Sequence, residues 1–349
     1  MAEIKMPTVS VVLCVFNQSE YLTEAIESIL KQTFTDFEFI IVNDGSTDDS
    51  QKIIDSYDDP RIVTIKNSRN LGLSISKNMA HKLAKGNYIV ACDGDDWNDK
   101  SRLQKQVNFM NENPDIDISG TNFAHIGTGK IIQKPRNDEE IIIALLEGCS
   151  ICHGSTIFRK SSMEKYNLFY DENVLASVDY DLYSRCADIL KLGNLQEVLY
   201  NYRMHRNQMT FYMSSKQVQF GDKVRNRELN RIIPQRTRDE SEIHCKICRK
   251  DFAGIENDFE KSKRWLDRLL RANQESGCYD EKLFEKFVNR LKGNVIKAYC
   301  DSRFVLAKKY NLKLLKEYFS SPQNAFKVYN FKVTFGIVVK CFIQYKRTK

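Results

Sequence analysis

The densest chemistry in the chain is the run Asp93-Gly94-Asp95-Asp96-Trp97, which follows the apolar stretch Tyr88–Cys92. Three carboxylates this close repel one another and coexist only if solvated or bound to a cation. Oxygen ligands at this density select a hard divalent ion such as Mg2+ or Mn2+, completed by water and phosphate oxygens. A turn that merely capped a helix starting near Ser101 would use Asp99 or a single aspartate, not three. A second polar cluster, Asn43-Asp44-Gly45-Ser46-Thr47-Asp48-Asp49-Ser50, closes the apolar run that begins at Glu38. It reads as a turn followed by a helix capped by Ser46 or Thr47. Asp44 is left at the carboxyl end of a strand, where it can accept from a base ring N–H.

Several other chemistries are excluded by what these runs lack. No G-x-G-x-x-G and no G-x-x-x-x-G-K-[ST] follows any strand-like segment, which argues against a dinucleotide fold and a P-loop. A phosphate binder without a glycine cradle must neutralise a diphosphate by other means, and a metal held by Asp93–Asp96 meets that need. The D-x-D-x-T of haloacid-dehalogenase-type phosphatases belongs after the first strand, and here Trp97 stands at the Thr position. His244-Cys245-Lys246-Ile247-Cys248 has the look of half a zinc site. The next cysteine is Cys278, and no second C-x-x-C completes four ligands. Cys149 and Cys152, near His153, lie in an apolar stretch and read as packing. His153 itself could line an acceptor pocket or serve as a satisfied structural imidazole.

The elements that must position these residues alternate from the first positions. Strands are predicted at Thr8–Val15, Glu38–Asn43, Ile62–Lys66 and Tyr88–Cys92, with helices at Glu20–Lys31, Asp48–Tyr57 and Leu73–Ala84 between them. This order demands right-handed crossovers and a mostly parallel sheet flanked by helices. Ligands bind beyond the carboxyl ends of such strands, which is where Asp44 and Asp93 stand. A helix at Ser101–Glu112, a strand near Ile116–Asn122, a Gly-rich turn, a helix at Asp138–Leu146, a strand at Ser155–Arg159 and a helix at Asp179–Leu190 follow. After about residue 215 the strand signal ends, and polar, basic helices are predicted over roughly 253–275, 279–299 and 302–320.

PTVSVVLCVFN, FIIVNDGSTDDS, RNLGLSISKN, DGDDW, CHGSTIFRK, SVDYDLYSRC and YRMH occur in this order over roughly residues 6–210. In them the chain resembles the family 2 inverting glycosyltransferases of the GT-A fold. The resemblance implies that Asp44 contacts the nucleobase and that Lys77, where the family usually has Arg, lies near the nucleotide. It further implies Asp93 as the ribose-side carboxylate, Asp95 as a metal ligand with Asp96 adjacent, and Asp179 as the catalytic base. His205 matches a histidine that in some members contacts the metal or the diphosphate. Two departures stand out. Val178 occupies the place of the family's usual Glu, and Lys77 trades a bidentate fork for a point charge. Asp179 could otherwise cap the helix through Leu190, and Asp181, on a different helix face, is expected to be structural.

The charge distribution divides the chain. Residues 1–200 hold 20 Lys+Arg against 30 Asp+Glu, whereas residues 201–349 hold 33 against 16. An acidic first part suits metal chemistry, and a basic second part suits an anionic partner. The ten cysteines, several inside apolar runs, look like reduced thiols in a cytosolic protein. The opening MAEIKMPTVSVVLCVF lacks the basic leader of a signal peptide, and no stretch reaches the ~18–20 apolar residues of a membrane span. The tail Phe326–Tyr345 interleaves Phe, Val and Ile with Lys, which fits either a membrane-interface segment or a last packed element.

The expectation is therefore a GT-A-like glycosyltransferase domain over 1–215 and a basic, mainly helical appendage over 216–349. The resemblance implies a UDP-sugar donor, Mn2+ or Mg2+, and a glycan or lipid-linked acceptor in surface polysaccharide synthesis, at the cytoplasmic membrane face. Two other readings compete. A metal-dependent nucleotidyltransferase would need a Gly- and Arg-rich loop after the first strand, which Cys14–Gln18 is not. A nucleic-acid-binding module would need clustered aromatics in a recognisable groove-binding or base-stacking motif, which the basic half lacks.

Overall fold

The computed structural model describes residues 6–206, 208 and 214–302. They divide into two compact units, one formed by the described residues up to 145 and from 149 to 224, the other by 146–148 and the described residues from 225 on.

The first unit opens with β1 (Val9–Val15), α1 (Ser19–Leu30), β2 (Phe37–Asn43), α2 (Ser50–Asp55), β3 (Ile62–Lys66), α3 (Leu73–Leu83) and β4 (Tyr88–Asp93). It continues through β5 (Trp97–Asn98), α4 (Arg102–Glu112), β6 (Ile118–His125), β7 (Ile131–Ile132) and α5 (Asp138–Leu145). A 3-10 turn at His153–Ser155 leads into β8 (Ile157–Arg159), α6 (Lys160–Lys165), α7 (Val178–Cys186) and β9 (Leu192–Tyr202). One sheet runs in the order β3-β2-β1-β4-β8-β6-β9-β5, with β7 paired to β6. The long ladders β1–β2, β1–β4, β2–β3 and β6–β9 are parallel, and the short ones involving β5, β7 and β8 are antiparallel. The sheet is thus parallel over its chemically important half and mixed beyond β4.

Burial follows strand alternation. Val9, Val11, Leu13 and Val15 pack with Phe39, Ile41 and Val90 against Leu22, Ile26 and Ile29 of α1 and Leu103, Val107 and Met110 of α4. Val12, Ile40, Val42, Ile89 and Ala91 point to the other face, onto Ala80 and Ala84, Ile141 and Leu145, and Leu182 and Cys186 of α7. Both faces are covered, so each of these strands is an almost unbroken apolar run. The polar residues that end β1, β2 and β4 therefore mark the edge of the core.

In this unit parts of the sequence reading need correction. β9, eleven residues long, was not expected, and neither were the two-residue strands β5 and β7. The predicted helix Asp179–Leu190 ends at Cys186, and the expected strand start at Ser155 is a 3-10 turn.

The second unit is helical: α8 (Ser214–Leu229) leads into it, followed by α9 (Arg238–Arg249), α10 (Ile255–Ser276) and α11 (Glu281–Cys300). The first two were not expected. A reciprocal capping box starts α9: Glu240 N donates to Thr237 Oγ1 at 3.2 Å and Thr237 N donates to Glu240 Oε2 at 2.8 Å. Gly277, at φ 61°, ends α10. Most of the helix predicted at 302–320, and the whole tail Phe326–Tyr345, lie outside the described residues. Among the described residues no helix is long and apolar enough to cross a membrane.

The turn after β2 depends on one glycine. Gly45 has φ 72°, and a Cβ there would stand 2.3 Å from the Arg69 carbonyl carbon and 2.6 Å from Asn70 N. Backbone cannot yield as a flexible side chain does. Gly45→Ala is expected to cost more than about 1 kcal/mol, read as a lower midpoint in thermal or denaturant unfolding; an unchanged midpoint would contradict this packing.

Candidate functional site: a carboxylate cluster at the end of β4

β4 delivers Asp93 to the edge of the core, and the turn to β5 adds Asp95 and Asp96. Asp96 is buried: its Oδ2 accepts from Tyr200 Oη at 2.5 Å and its Oδ1 from the Arg203 backbone N–H at 2.7 Å. Tyr200 Oη also lies 3.3 Å from Asp93 Oδ2. Asp95 Oδ2 faces His205 Nε2 at 2.9 Å, and Arg203 Nε donates to the Asp95 carbonyl at 2.9 Å. The Arg203 guanidinium also pairs with Glu24 and lies 4.6 Å from the centroid of the Tyr21 ring. Lys77, buried on α3, brings its ammonium 3.7 Å from Asp93 Oδ1.

The electrostatics follow from that crowding. Burial, then the Asp93 charge, raises the Asp95 carboxyl above its ordinary value; burial, then Asp95 and Asp93, raises Asp96 well above it. The Tyr200 phenol is pushed well up by burial and by Asp96 and Asp93, so it keeps its proton and donates. Behind it lies Arg102, fully buried, donating to Gln106 Oε1 at 2.9 Å, the Ala91 carbonyl at 2.9 Å and Asn98 Oδ1, with its guanidinium 5.4 Å from the Tyr200 ring centroid.

This donor set fits a hard divalent cation. Among the described residues no three His, Cys, Asp or Glu side chains form a ready-made cage. A Mg2+-type site commonly uses only one or two protein carboxylates and takes its remaining oxygens from water and phosphates. Asp95 Oδ2 and His205 Nε2 face each other directly, and His205 Nδ1 is a buried atom with no partner among the described residues.

The remaining predicted residues spread around this cluster. Asp44 is buried at the end of β2, and its Oδ1 accepts from Asn67 Nδ2 at 2.8 Å and Leu71 N at 2.9 Å. Its Oδ2 takes one bond, from Gly72 N at 2.9 Å, which leaves that oxygen acceptor capacity. Asp179 is half-buried in the first turn of α7 and is not the cap: Ser177 holds that position, with its hydroxyl turned to Gln217. Cys149 Sγ lies 3.5 Å from Asp179 Oδ2. The Tyr170 phenol is held well up, mainly by burial. Asp181 is buried and paired to Arg185 at 2.9 Å. Val178, in place of the usual Glu, is buried in the core.

Sequence reasoning missed Tyr200, Arg203 and Gly154. Tyr200 lies on the unexpected β9, and Arg203 shares the YRMH run with His205 but was not singled out. The His244–Cys248 motif is settled by contacts within the second unit: His244 Nε2 donates to the Leu146 carbonyl at 2.8 Å and Nδ1 accepts from Trp265 Nε1 at 3.2 Å. Burial holds its imidazole down at about 4, a neutral, satisfied core residue.

The comparisons with known proteins give the family and the fold. Residues 10–167 match the family model described as glycosyl transferase family 2. The chain is 37% identical over 214 residues to an uncharacterised glycosyltransferase of Methanocaldococcus jannaschii, covering 58% of this chain and 73% of that one. The chain is a family 2 glycosyltransferase. An Escherichia coli UDP-Glc:alpha-D-GlcNAc-diphosphoundecaprenol beta-1,3-glucosyltransferase is 30% identical over 208 residues, covering 57% of this chain and 78% of that one. Among solved structures, S. aureus TarS 1–349 in complex with UDP-GlcNAc matches with a TM-score of 0.57 at 17% identity over 87% of this chain and 93% of that one. The mannosyltransferase PcManGT from Pyrobaculum calidifontis, in complex with GDP-Man and Mn2+, matches with a TM-score of 0.53 at 12% identity over 98% and 87%. At these identities the structures establish the shared GT-A fold. Nucleotidyl transfer and simple nucleic-acid binding fall away as readings of the chain.

The transferase's carboxylate cluster closes only because residue 154 has no side chain. A Cβ on Gly154 would stand 1.9 Å from Tyr200 Oη and 2.5 Å from Asp93 Oδ2. Gly154→Ala should part these groups and lower sugar transfer by about tenfold or more, with far-UV circular dichroism close to wild type. Wild-type turnover in that variant would show that the contact is dispensable.

Proposed function

We propose that this glycosyltransferase inverts the configuration of a sugar that it moves from a UDP-type donor to a glycan or lipid-linked acceptor in surface polysaccharide synthesis. The observation that carries this reading is the gathering of Asp93, Asp95, Asp96, Lys77 and His205 at the carboxyl end of β4. That place in a parallel α/β sheet takes phosphate-bearing ligands. UDP as donor is supported by the UDP-Glc of the Escherichia coli relative and the UDP-GlcNAc of the TarS complex, and a lipid-linked acceptor by the diphosphoundecaprenol of the former.

Each residue then has a task. Asp95 and His205 would hold Mn2+ or Mg2+, with Asp93 and Asp96 beside them; when bound, the ion offsets charge on the diphosphate. Asp44 Oδ2 accepts from the base, Asp93 faces the ribose, and Lys77 presents its charge to the phosphates. Asp179 takes the acceptor hydroxyl proton as that oxygen attacks the anomeric carbon. The bond from that carbon to the diphosphate oxygen breaks with its electron pair, and the nucleoside diphosphate leaves from the opposite face. The acceptor oxygen gains the sugar and Asp179 the proton, so the step balances.

Residues 303–349 hold 11 Lys+Arg against one acidic residue, compared with 18 against 14 over residues 225–302. The surplus that points to an anionic membrane surface is therefore concentrated in the tail, and peripheral attachment on the cytoplasmic face is part of the proposal. Removing residues 326–349 should weaken binding to anionic lipid vesicles and make the remainder less sensitive to salt, while transfer to a short soluble acceptor persists. Unchanged vesicle binding would refute a membrane role for the tail.

The base is tested by Asp179→Asn. Asn keeps the shape and removes the proton acceptor, so turnover should fall by about 10²–10⁴ with donor affinity close to wild type. Near-normal turnover in Asp179→Asn, with Asp181→Asn inactive, would move the base to the other aspartate.

A further inference from the structure

The buried ammonium of Lys77 has a second partner besides Asp93. Lys77, on α3, meets His153 in the 3-10 turn before β8, with its ammonium against Nε2. An ammonium only donates, so Nε2 must offer its lone pair and the ring proton belongs on Nδ1. That nitrogen lies 2.8 Å from Tyr183 Oη, which in turn lies 2.8 Å from Thr156 Oγ1. Tyr183 and Thr156 are fully buried. Tyr170 closes the other side, with its hydroxyl 3.3 Å from Nε2 and its ring edge-on to the imidazole at 5.8 Å. Burial and the Lys77 charge keep this imidazole neutral, well below its ordinary value.

The result is a relay of fixed groups from the core outward: Thr156, Tyr183, His153, Lys77. A carboxylate in the place of His153 would also orient the ammonium, but it would cancel the charge that a phosphate needs. A neutral acceptor directs the cation without adding a second negative charge to that of Asp93. The two contacts of Lys77, with His153 and with Asp93 at 3.7 Å, leave donor capacity on its three N–H groups.

We propose that His153 is a positioning residue whose Nε2 lone pair aims the Lys77 ammonium at the diphosphate of the donor. The proposal rests on the reading that Lys77 faces the nucleotide. The test is calorimetric titration of the full-length chain with UDP in the presence of Mn2+. His153→Asn keeps a polar atom near the Nδ1 position for Tyr183 but cannot reach Lys77. It should bind UDP about tenfold more weakly, the scale on which supporting partners act. His153→Gln, whose amide oxygen reaches the Nε2 position, should stay within about threefold. In a Lys77→Met background, itself weakened, His153→Asn should add nothing. His153→Leu, which also lacks the acceptor, gives the same reading if the Asn variant folds poorly. Loss of UDP affinity in Lys77→Met but none in either His153 variant would overturn the positioning role alone. So would a His153→Asn loss that persists in full without Lys77. Wild-type UDP affinity in Lys77→Met would overturn the underlying donor-site reading, and the proposal with it.

Discussion

The architecture of the first unit turns on three carboxylates that one strand end brings together. At an effective dielectric of about 20, two unit charges 4 Å apart repel by about 4 kcal/mol, so Asp93, Asp95 and Asp96 cannot all stand ionised there without compensation. The fold supplies it from several directions. Tyr200 and the Arg203 backbone bind Asp96, His205 binds Asp95, Lys77 faces Asp93, and Arg102 lies beneath. A bound divalent cation would reverse the local pKa logic and complete the balance. Burial and mutual repulsion raise the Asp95 and Asp96 carboxyls above their ordinary values.

That demand explains features distant from β4 in sequence. β9 runs parallel to β6 and pairs antiparallel with β5, so its last residues return the chain beside the aspartates. Gly154 has no side chain because Tyr200 and Asp93 meet where it would be. Asp44 sits two strands away and organises the 67–72 loop through its own hydrogen bonds. Val178, in place of an acid, packs into the apolar cluster on the α3 and α7 side of the sheet.

What the sequence disclosed and what it hid have physical reasons. β1, β2 and β4 are buried on both faces, so their apolar runs are nearly continuous and easily read. β9, LGNLQEVLYNY, is only partly buried and carries Gly, Asn, Gln and Glu, which breaks any period-2 signal. Its loss from the reading removed Tyr200 as well, although YRMH at its end was visible. The helices α8 and α9 begin in strongly polar sequence, where apolar periodicity is faint. Thr237 three residues before Glu240 was the available sign for α9. The Lys77–His153 contact joins residues 76 positions apart, a pairing that no local pattern carries.

The central claim is that the β4 carboxylates take up a divalent ion and a nucleoside diphosphate together. Two sites that share a metal-bridged ligand must raise each other's affinity by the same factor. The direct measurement is a pair of titrations: UDP into the protein with and without Mn2+, and Mn2+ into the protein with and without UDP. The account predicts that each ligand tightens the other by one common factor, and that the coupling vanishes in Asp95→Asn. UDP that binds equally well in the presence of a chelator, or Mn2+ binding that ignores both UDP and Asp95→Asn, would contradict it.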